Sequence, residues 1–318
     1  MNLPPFFSKR AKMIAAIVSV ALLALLFSQI NLGELAGALS RADARLVLAA
    51  LALETFNLGL RTFRWKVLLD EKSRIALKKL LPIQCAGLAL SNFSPGKLAD
   101  PVKVVFLKPL GVRYSFSLLT VVWERIFDLF LLFSASLLVL SIISNELAYA
   151  AFAAAILLAL AALAVHKKLP ALIRFFSKFK VFSFLKRVEA HKFKRITLAK
   201  AAALTLAIWG IDFFAAWLAF ASLGVSLDYV FLAGAFSAAV VIGVFTFLPA
   251  GLGTTEFSLL FLLSLSGLPQ AQLMAGIVLS RAVTLVYSSL VGLGLLPFAK
   301  QTGGAKPAAV KKRRPDRG

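Results

Sequence analysis

The stretch Phe247–Glu256, FLPAGLGTTE, decides the fold because it interrupts a long apolar region of the chain. Pro249 removes a backbone donor, and Gly251 and Gly253 give up backbone order, so a helix cannot run through the stretch. In a bilayer, irregular backbone persists only where protein or a water-filled cavity satisfies its polar groups. Glu256 then begins a second apolar segment. A broken apolar helix with a charge at the break is typical of a transporter substrate site, and a plain loop between two spanning helices is the alternative.

The composition places the whole chain in a membrane. Hydrophobic residues make up 60% of the 318 residues, and the mean hydropathy is +0.88, values that exclude a soluble globular domain. The net charge of +22 comes mainly from Lys and Arg between apolar segments, where they indicate orientation rather than a nucleic-acid surface. We therefore expect an integral membrane protein that binds no nucleic acid.

Cysteine and histidine are scarce. Cys85 is the single cysteine and lies in an apolar run, so no disulfide framework exists. His166 and His191 both lie in a basic segment between spans, which removes most metal-ligand and histidine-based catalytic schemes. We expect neither a metal site nor a cofactor.

The apolar runs predict an all-α polytopic membrane protein with about six full spans and two broken or re-entrant helical hairpins, or eight spans if each arm crosses. The first break follows Leu80–Phe93, which at 14 residues is short of the ~20 that a span needs, and it precedes a second short segment, Val102–Leu107. The second break is the opening stretch. The full spans are predicted at Met13–Ile30, Leu46–Leu60, Phe116–Leu140, Leu147–Val165, Ala201–Leu223 and Leu273–Phe298.

Charge bias orients these spans, because links rich in Lys and Arg stay on the cytoplasmic side. It predicts a single transmembrane domain over residues 1–298 in the cytoplasmic (inner) cell membrane, with both termini cytoplasmic. Residues 31–45 form an external link. Residues 166–200 form a basic amphipathic cytoplasmic segment suited to the anionic inner leaflet, or else a plain basic loop. Residues 299–318 form a disordered, basic cytoplasmic tail.

The chain also contains an internal repeat, with halves at about 46–165 and 201–298. Pro95 and Pro249 are 154 residues apart, and Arg125 and Arg281, each in the apolar helix after a break, are 156 apart. The charge bias predicts that the chain enters and leaves the first break from the cytoplasmic side, and the second break from the external side. Two such units predict an inverted-topology repeat, the usual build of alternating-access carriers.

Charged residues inside the predicted spans are the candidates for function, since each centred charge costs ~2.5–3.5 kcal/mol and needs a partner or a wet cavity. Glu124, Arg125 and Asp128 share one helix, either as part of a substrate site or as a purely structural group. Arg281 has no charged neighbour at helical spacing, and Glu256 is its expected partner.

A polar stripe follows the second helix, with Glu54, Asn57, Arg61 and Arg64 at helical spacing. Arg61 and Arg64 fall near the predicted cytoplasmic boundary, so snorkelling to lipid phosphates is preferred over direct substrate binding. A helix–helix hydrogen bond explains Asp212 as well as a site role does.

Four motifs carry a family resemblance: Arg64–Leu69 (RWKVLL), Asn92–Lys97 (NFSPGK), Glu124–Asp128 (ERIFD) and Leu248–Glu256 (LPAGLGTTE). In this order they resemble the lysylphosphatidylglycerol synthase transmembrane region family, also described as flippase-like, over residues 10–300. The resemblance implies the membrane-embedded flippase module without the cytoplasmic aminoacyl-transferase domain that multidomain members carry. Where many members have Gly-Glu after the first break, this chain has Lys97–Asp100, and Asp100 takes the place of that acid.

The leading hypothesis is a lipid translocase in which Arg125, Arg281 and helix N-termini bind an anionic phospholipid or lipid-phosphate headgroup between the two breaks. The carboxylates pair with the arginines when no headgroup is present. An intramembrane enzyme and a non-transporting accessory subunit of an envelope lipid or glycan synthesis enzyme are the alternatives, and we expect no enzymatic activity. The candidate substrate-binding residues are Asn92, Pro95, Gly96, Lys97, Asp100, Glu124, Arg125, Asp128, Pro249, Gly251, Gly253, Glu256 and Arg281, with Arg61 and Arg64 as weaker members.

The orientation is testable by cysteine labelling of intact cells with a membrane-impermeant thiol reagent. Single cysteines at Asn145, Asp228 and Pro269 should react from outside, because no Lys or Arg holds these links in the cytoplasm. Cysteines at Ser73, His191 and Gly304 should not react. External labelling at His191 would contradict both the orientation and the inverted repeat.

Overall fold

The computed structural model describes residues 9–28, 32–94, 100–142, 144–164 and 191–304, and the regular elements in these ranges are helices. The helix Tyr114–Ser136 continues as a 3₁₀ segment, Leu137–Ile142, and the helix Gln270–Arg281 continues through a π-helical segment, Ala282–Tyr287, into the last helix. The helices are α1 Lys9–Ser28, α2 Leu32–Ser40, α3 Ala44–Leu69, α4 Leu77–Asn92, α5 Val102–Val105, α6 Tyr114–Ser136, α7 Asn145–Ala164, α8 Arg195–Ser222, α9 Tyr229–Phe245, α10 Thr254–Ser264, α11 Gln270–Arg281 and α12 Ser288–Gly304.

Four of the described helical stretches are long and apolar enough to cross a membrane: Ala44–Leu69, Tyr114–Ile142, Arg195–Ser222 and Gln270–Thr302. Helices α9 and α10 are apolar but shorter. The prediction of a polytopic helical membrane protein is confirmed at this level.

Helix α3 differs most from the prediction, because it runs nine residues beyond Leu60. The carboxylate of Asp43 caps its first turn by accepting the Arg45 N–H at 2.8 Å. Its last turn is closed by Lys66, whose Nζ donates to Asp70 Oδ1 at 2.8 Å. Arg61 and Arg64 therefore lie within a continuous helix instead of at its boundary.

Two other boundaries also move. The predicted external link over residues 31–45 contains α2, and the predicted disordered tail begins later, since α12 includes residues 299–304. The remainder of the tail and residues 166–190 of the amphipathic segment lie outside the described residues. Within 191–200, α8 starts at Arg195, ahead of the predicted Ala201.

The helices that follow the two breaks, α5 and α10, are both short. Helix α5 has four residues and α10 has 11. At 1.5 Å per residue, neither reaches the ~30 Å of a hydrocarbon core. Short arms after both breaks are what a re-entrant hairpin requires.

The halves of the chain interlock around these breaks. Helix α3 packs along α8, the pre-break helix α4 packs along α12, and the pre-break helix α9 packs on α6 and its 3₁₀ extension. Glycine permits the closest approaches: a Cβ at Gly292 would lie 2.2 Å from the carbonyl oxygen of Cys85, and one at Gly234 would lie 2.1 Å from the amide nitrogen of Val139. The pre-break helix α9 therefore packs against α6, which carries Arg125, and the pre-break helix α4 packs against α12, which continues from the arginine-bearing α11.

The buried apolar side chains form two main clusters. One includes Phe116 of α6 and Leu198 of α8, and the other includes Leu132 of α6 and Phe220 of α8. Asp128 of α6 lies between Phe127 of the first cluster and Leu132 of the second, and Asp212 of α8 lies between Trp209 and Phe213 of the second. The polar site is thus enclosed by apolar packing on both sides.

Candidate functional site

The second break is a tight turn built on glycine. Gly251 and Gly253 have φ of 65° and 85°, values that side chains disfavour. A Cβ at Gly251 would also lie 2.5 Å from Thr255 Oγ1 and 3.0 Å from Gly243 Cα. Pro249 starts the turn, its carbonyl accepting the Leu252 N–H at 2.9 Å. The helix ends here as predicted.

Arg281 holds this turn in place. Its Nε donates to Glu256 Oε1 at 2.7 Å and its Nη2 donates to the Ala250 carbonyl at 3.0 Å. Ala250 is itself in the left-handed region, with φ of 54°, a conformation that costs ~1–3 kcal/mol unless its surroundings hold it. Arg281 therefore pairs with its expected partner and also fixes the backbone of the break.

Glu256 has a second role that the sequence did not indicate. Its Oε2 accepts the Gly253 N–H at 2.7 Å, which caps α10. The Thr255 N–H is likewise bonded, to the Gly251 carbonyl at 2.9 Å. The N-terminus of α10 thus offers an anion fewer free N–H groups than the sequence analysis expects.

The first break has the same arrangement of charge. Asp100, which follows the break, forms a salt bridge with Arg125 of α6. Arg125 also lies 3.6 Å from Asp128, measured from Nη1 to Oδ2, and its side chain is one-third exposed. Asn92, at the end of α4, donates to Ser289 Oγ of α12 at 3.0 Å. Pro95, Gly96 and Lys97 lie outside the described residues.

Arg64 is buried rather than snorkelling, which corrects the preferred interpretation of the sequence. Its side chain is 2% exposed, and its Nη1 donates to Asp128 Oδ1 at 2.5 Å and to Thr205 Oγ1 at 2.9 Å. Its Nη2 lies 3.4 Å from Glu124 Oε1. The longer α3 explains the difference, since it carries Arg64 into the bundle instead of ending below it.

Glu124 is also bound by Lys103 of α5, a residue that the sequence analysis did not select. Lys103 Nζ lies 2.5 Å from Glu124 Oε2, donates to Gln84 Oε1 at 2.8 Å and sits 4.4 Å from the centre of the Trp65 ring. Its position among the apolar residues of 102–107 was the available signal. Glu124 thus joins Arg64 and Lys103 in a structural network.

A further charged pair links the two halves directly. Arg61 of α3 forms a salt bridge with Asp212 of α8 and lies over the ring of Trp209, 5.7 Å from its centre. Asn57 Nδ2 donates to Asp212 Oδ1 at 2.8 Å. Asp212 thus makes the expected helix–helix hydrogen bond and in addition binds an arginine.

One cavity is lined by several of these charged residues. Its volume is about 70 Å³, counted as the space that the centre of a water molecule can occupy. On that measure a cavity needs roughly 10–15 Å³ to hold one water. It therefore has room for a group the size of phosphate. The polar residues on its wall are Glu54, Arg61, Asn92, Arg125, Asp128, Asp212, Thr255, Arg281, Thr284 and Ser288, together with Ala250 and Gly251 of the second break.

Both halves of the chain contribute to this wall, and both predicted arginines are on it. Arg64 and Glu124 are not among its residues. The described residues include no group of three or more His, Cys, Asp and Glu placed to hold a metal ion.

Comparison with known proteins identifies the family. The profile described as "Lysylphosphatidylglycerol synthase TM region" matches residues 12–292. The chain belongs to this family. A relative described as "UPF0104 membrane protein", from Methanothermobacter thermautotrophicus, is 24% identical over 319 residues, covering 90% of this chain and 94% of the relative.

In this member of the lysylphosphatidylglycerol synthase transmembrane region family, the charged residues form two groups: the buried network around Arg64 and the ion pairs of the cavity arginines. Asp128 touches both the structural network, through Arg64, and the cavity, through Arg125. Arg125 and Arg281 each pair with the acid that follows a break. Arg61, Arg125 and Arg281, each paired with a carboxylate, thus line the cavity, whereas Arg64 and Glu124 lie behind its wall.

The division predicts distinct effects on stability. Arg64→Gln should lower the free energy of unfolding by ~3–5 kcal/mol, because Glu124 and Asp128 would keep buried charges without their main partner. Arg45→Gln, at an exposed position, should change it by less than ~0.5 kcal/mol. Tryptophan fluorescence during unfolding in detergent measures both.

A second substitution tests the cause. Asp128→Asn added to Arg64→Gln should restore part of the stability, since it removes one of the unpaired charges. An unchanged melting curve for Arg64→Gln would contradict the network.

Proposed function

We propose that this protein is a flippase-like lipid translocase of the cytoplasmic membrane, which moves an anionic phospholipid or lipid-phosphate headgroup across the bilayer without changing it chemically. The proposal includes the orientation predicted from charge, with both termini cytoplasmic, and about six full spans with two re-entrant hairpins.

The observation that carries the proposal is the cavity shared by Arg61, Arg125 and Arg281. Three guanidinium groups from three different helices face a space with room for one phosphate. Arginine binds phosphate through two parallel N–H groups, which gives orientation as well as affinity.

Each of these arginines is held by a carboxylate: Arg61 by Asp212, Arg125 by Asp100 and Arg281 by Glu256. A headgroup phosphate is a chemically similar partner for the same N–H groups. It can replace the carboxylate at an arginine without leaving a buried cation unpaired, and its departure restores the original pair. This exchange suits transport, which requires binding and release at the same site.

The interlocked halves support alternating access. The α3–α8, α4–α12 and α6–α9 contacts each join a helix of one half to a helix of the other. Each helix packs against a partner in the opposite half, as expected for a pseudo-two-fold repeat of opposite orientation. The cavity lies where these halves meet. A shift of one half against the other would open it to one face and then to the other.

Apolar side chains around the second break favour a lipid over a soluble anion. Phe245, Phe247 and Phe257 are each more than a third exposed and flank the break on both sides. A headgroup in the cavity would leave its acyl chains beside these rings, in contact with the surrounding bilayer. The narrow cavity has room for the headgroup alone.

The test is transport of fluorescent phosphatidylglycerol by purified protein in liposomes, read by quenching of the label that remains outside. Arg125→Gln and Arg281→Gln should each lower the rate at least ~10-fold, because each removes a charge-assisted hydrogen bond worth ~1.5–3 kcal/mol. Arg281→Lys should retain part of the rate, since it keeps the charge but not the fork. Arg45→Gln is the matched control.

The same experiment separates the alternatives. An accessory subunit would move no lipid in the absence of its enzyme, and an enzyme would change the labelled lipid chemically. If the Gln variants lose activity only in proportion to loss of folded protein, the arginines are structural and the proposed site is wrong.

A further inference from the structure

Glu54 is a buried acid on the cavity wall with no assigned role. It lies near the middle of α3, is 1% exposed and lines the cavity. Its Oε2 has no hydrogen-bond partner in the part of the chain that the structure describes. The same is true of Arg61 Nε, two helical turns further along α3. A buried acceptor and a buried donor on one wall mark a place where a ligand can bind.

The charged and titratable neighbours of Glu54 come from several helices. Arg61 lies on its own helix and Asp212 on α8, and both act on Glu54 electrostatically. On α4, Cys85 is within electrostatic reach. Arg281, the last residue of α11, lines the same cavity. Tyr287 of the π-helical segment shares a hydrogen bond of 2.6 Å with Thr55, the residue that follows Glu54. On α6, Asp128 also lines the cavity.

The local charges do not balance if every acid is ionised. Asp128 is held by Arg64, Arg125 by Asp100 and Arg281 by Glu256, which leaves Arg61, already in a salt bridge with Asp212, as the nearby cation that also acts on Glu54. Two carboxylates that share one cation in a buried site repel each other, and burial penalises the extra charge. One proton on the pair removes the imbalance.

We infer that Glu54 and Asp212 form a proton-binding site that couples proton uptake to binding of an anion at Arg61. The proton forms an O–H bond at a carboxylate oxygen, giving a neutral carboxylic acid. When a headgroup phosphate engages Arg61, the two acids lose part of their shared cation, so the protonated form is favoured. Release of the proton returns Arg61 to Asp212 and weakens the hold on the phosphate.

The proton site itself can be tested without transport, by infrared spectroscopy of the purified full-length protein over a range of pH. Wild type should show the carbonyl band of a protonated carboxylic acid, and Glu54→Gln should lose that band while keeping the fold, because glutamine mimics the neutral acid. Glu146→Gln, at an exposed position, should leave it unchanged. A band that persists in both Glu54→Gln and Asp212→Asn would overturn the assignment.

The coupling rests on the proposed lipid transport and has its own measurement. With one proton per headgroup, a pH difference of one unit across the liposome should shift the steady-state distribution of labelled phosphatidylglycerol by up to ~10-fold. Glu54→Gln should equilibrate the lipid with no such shift. An equal shift in wild type and Glu54→Gln would overturn the coupling.

The two measurements separate the proposals. A Glu54-dependent infrared band without lipid movement would support the proton site while contradicting the translocase. A protonated band that rises in bilayer nanodiscs of phosphatidylglycerol, compared with phosphatidylcholine, would support the anion linkage, and no difference would contradict it.

Discussion

The salt bridge between Arg281 and Glu256 is the interaction on which the second half of the structure depends. The Arg281 side chain bridges the break: its Nε donates to the Glu256 carboxylate and its Nη2 donates to the Ala250 carbonyl. Without it, a turn containing residues in the left-handed region would leave backbone groups unpaired in an apolar environment. The same arginine lines the cavity, so the group that holds the break also faces whatever enters it.

The rest of the polar centre follows from the cost of burying charge. Arg64, Glu124, Asp128 and Lys103 pair with one another in a buried network, and of these four only Asp128 also lines the cavity. Arg61, Arg125 and Arg281 instead lie on the cavity wall, where each forms a salt bridge with a carboxylate. The π-helical segment directly after Arg281 adds a local irregularity at this point, and Thr284 and Leu285 of that segment face the cavity. Such segments are frequent at functional sites.

The breaks, the spans after them and the pairing of Arg281 with Glu256 were predictable because local chemistry decides them. Pro and Gly end a helix whatever surrounds them, and a lone buried arginine must have an acid nearby. The role of Arg64 was not predictable in the same way. The sequence around Leu60 shows a helix becoming polar, which fits a membrane boundary as well as a buried stripe.

Only the packing of α3 against α6 and α8 decides that Arg64 meets Asp128 and that Arg61 meets Asp212. Lys103 was missed for a similar reason, since its partners Gln84 and Glu124 are brought to it by tertiary structure. Local pattern thus indicated the breaks and their arginines, and long-range contacts determined which charges form the buried network and which line the cavity.

The most direct measurement of the central claim is photo-crosslinking with phosphatidylglycerol that carries a photoreactive headgroup, with the modified residues identified by mass spectrometry. If the headgroup passes through the shared cavity, adducts should form on two residues of its wall, Leu88 of the first half and Thr284 of the second, and should be lost in Arg281→Gln. Adducts confined to outward-facing residues such as Phe257 and Phe261 would contradict the account, because they would place the lipid only on the surface of the bundle.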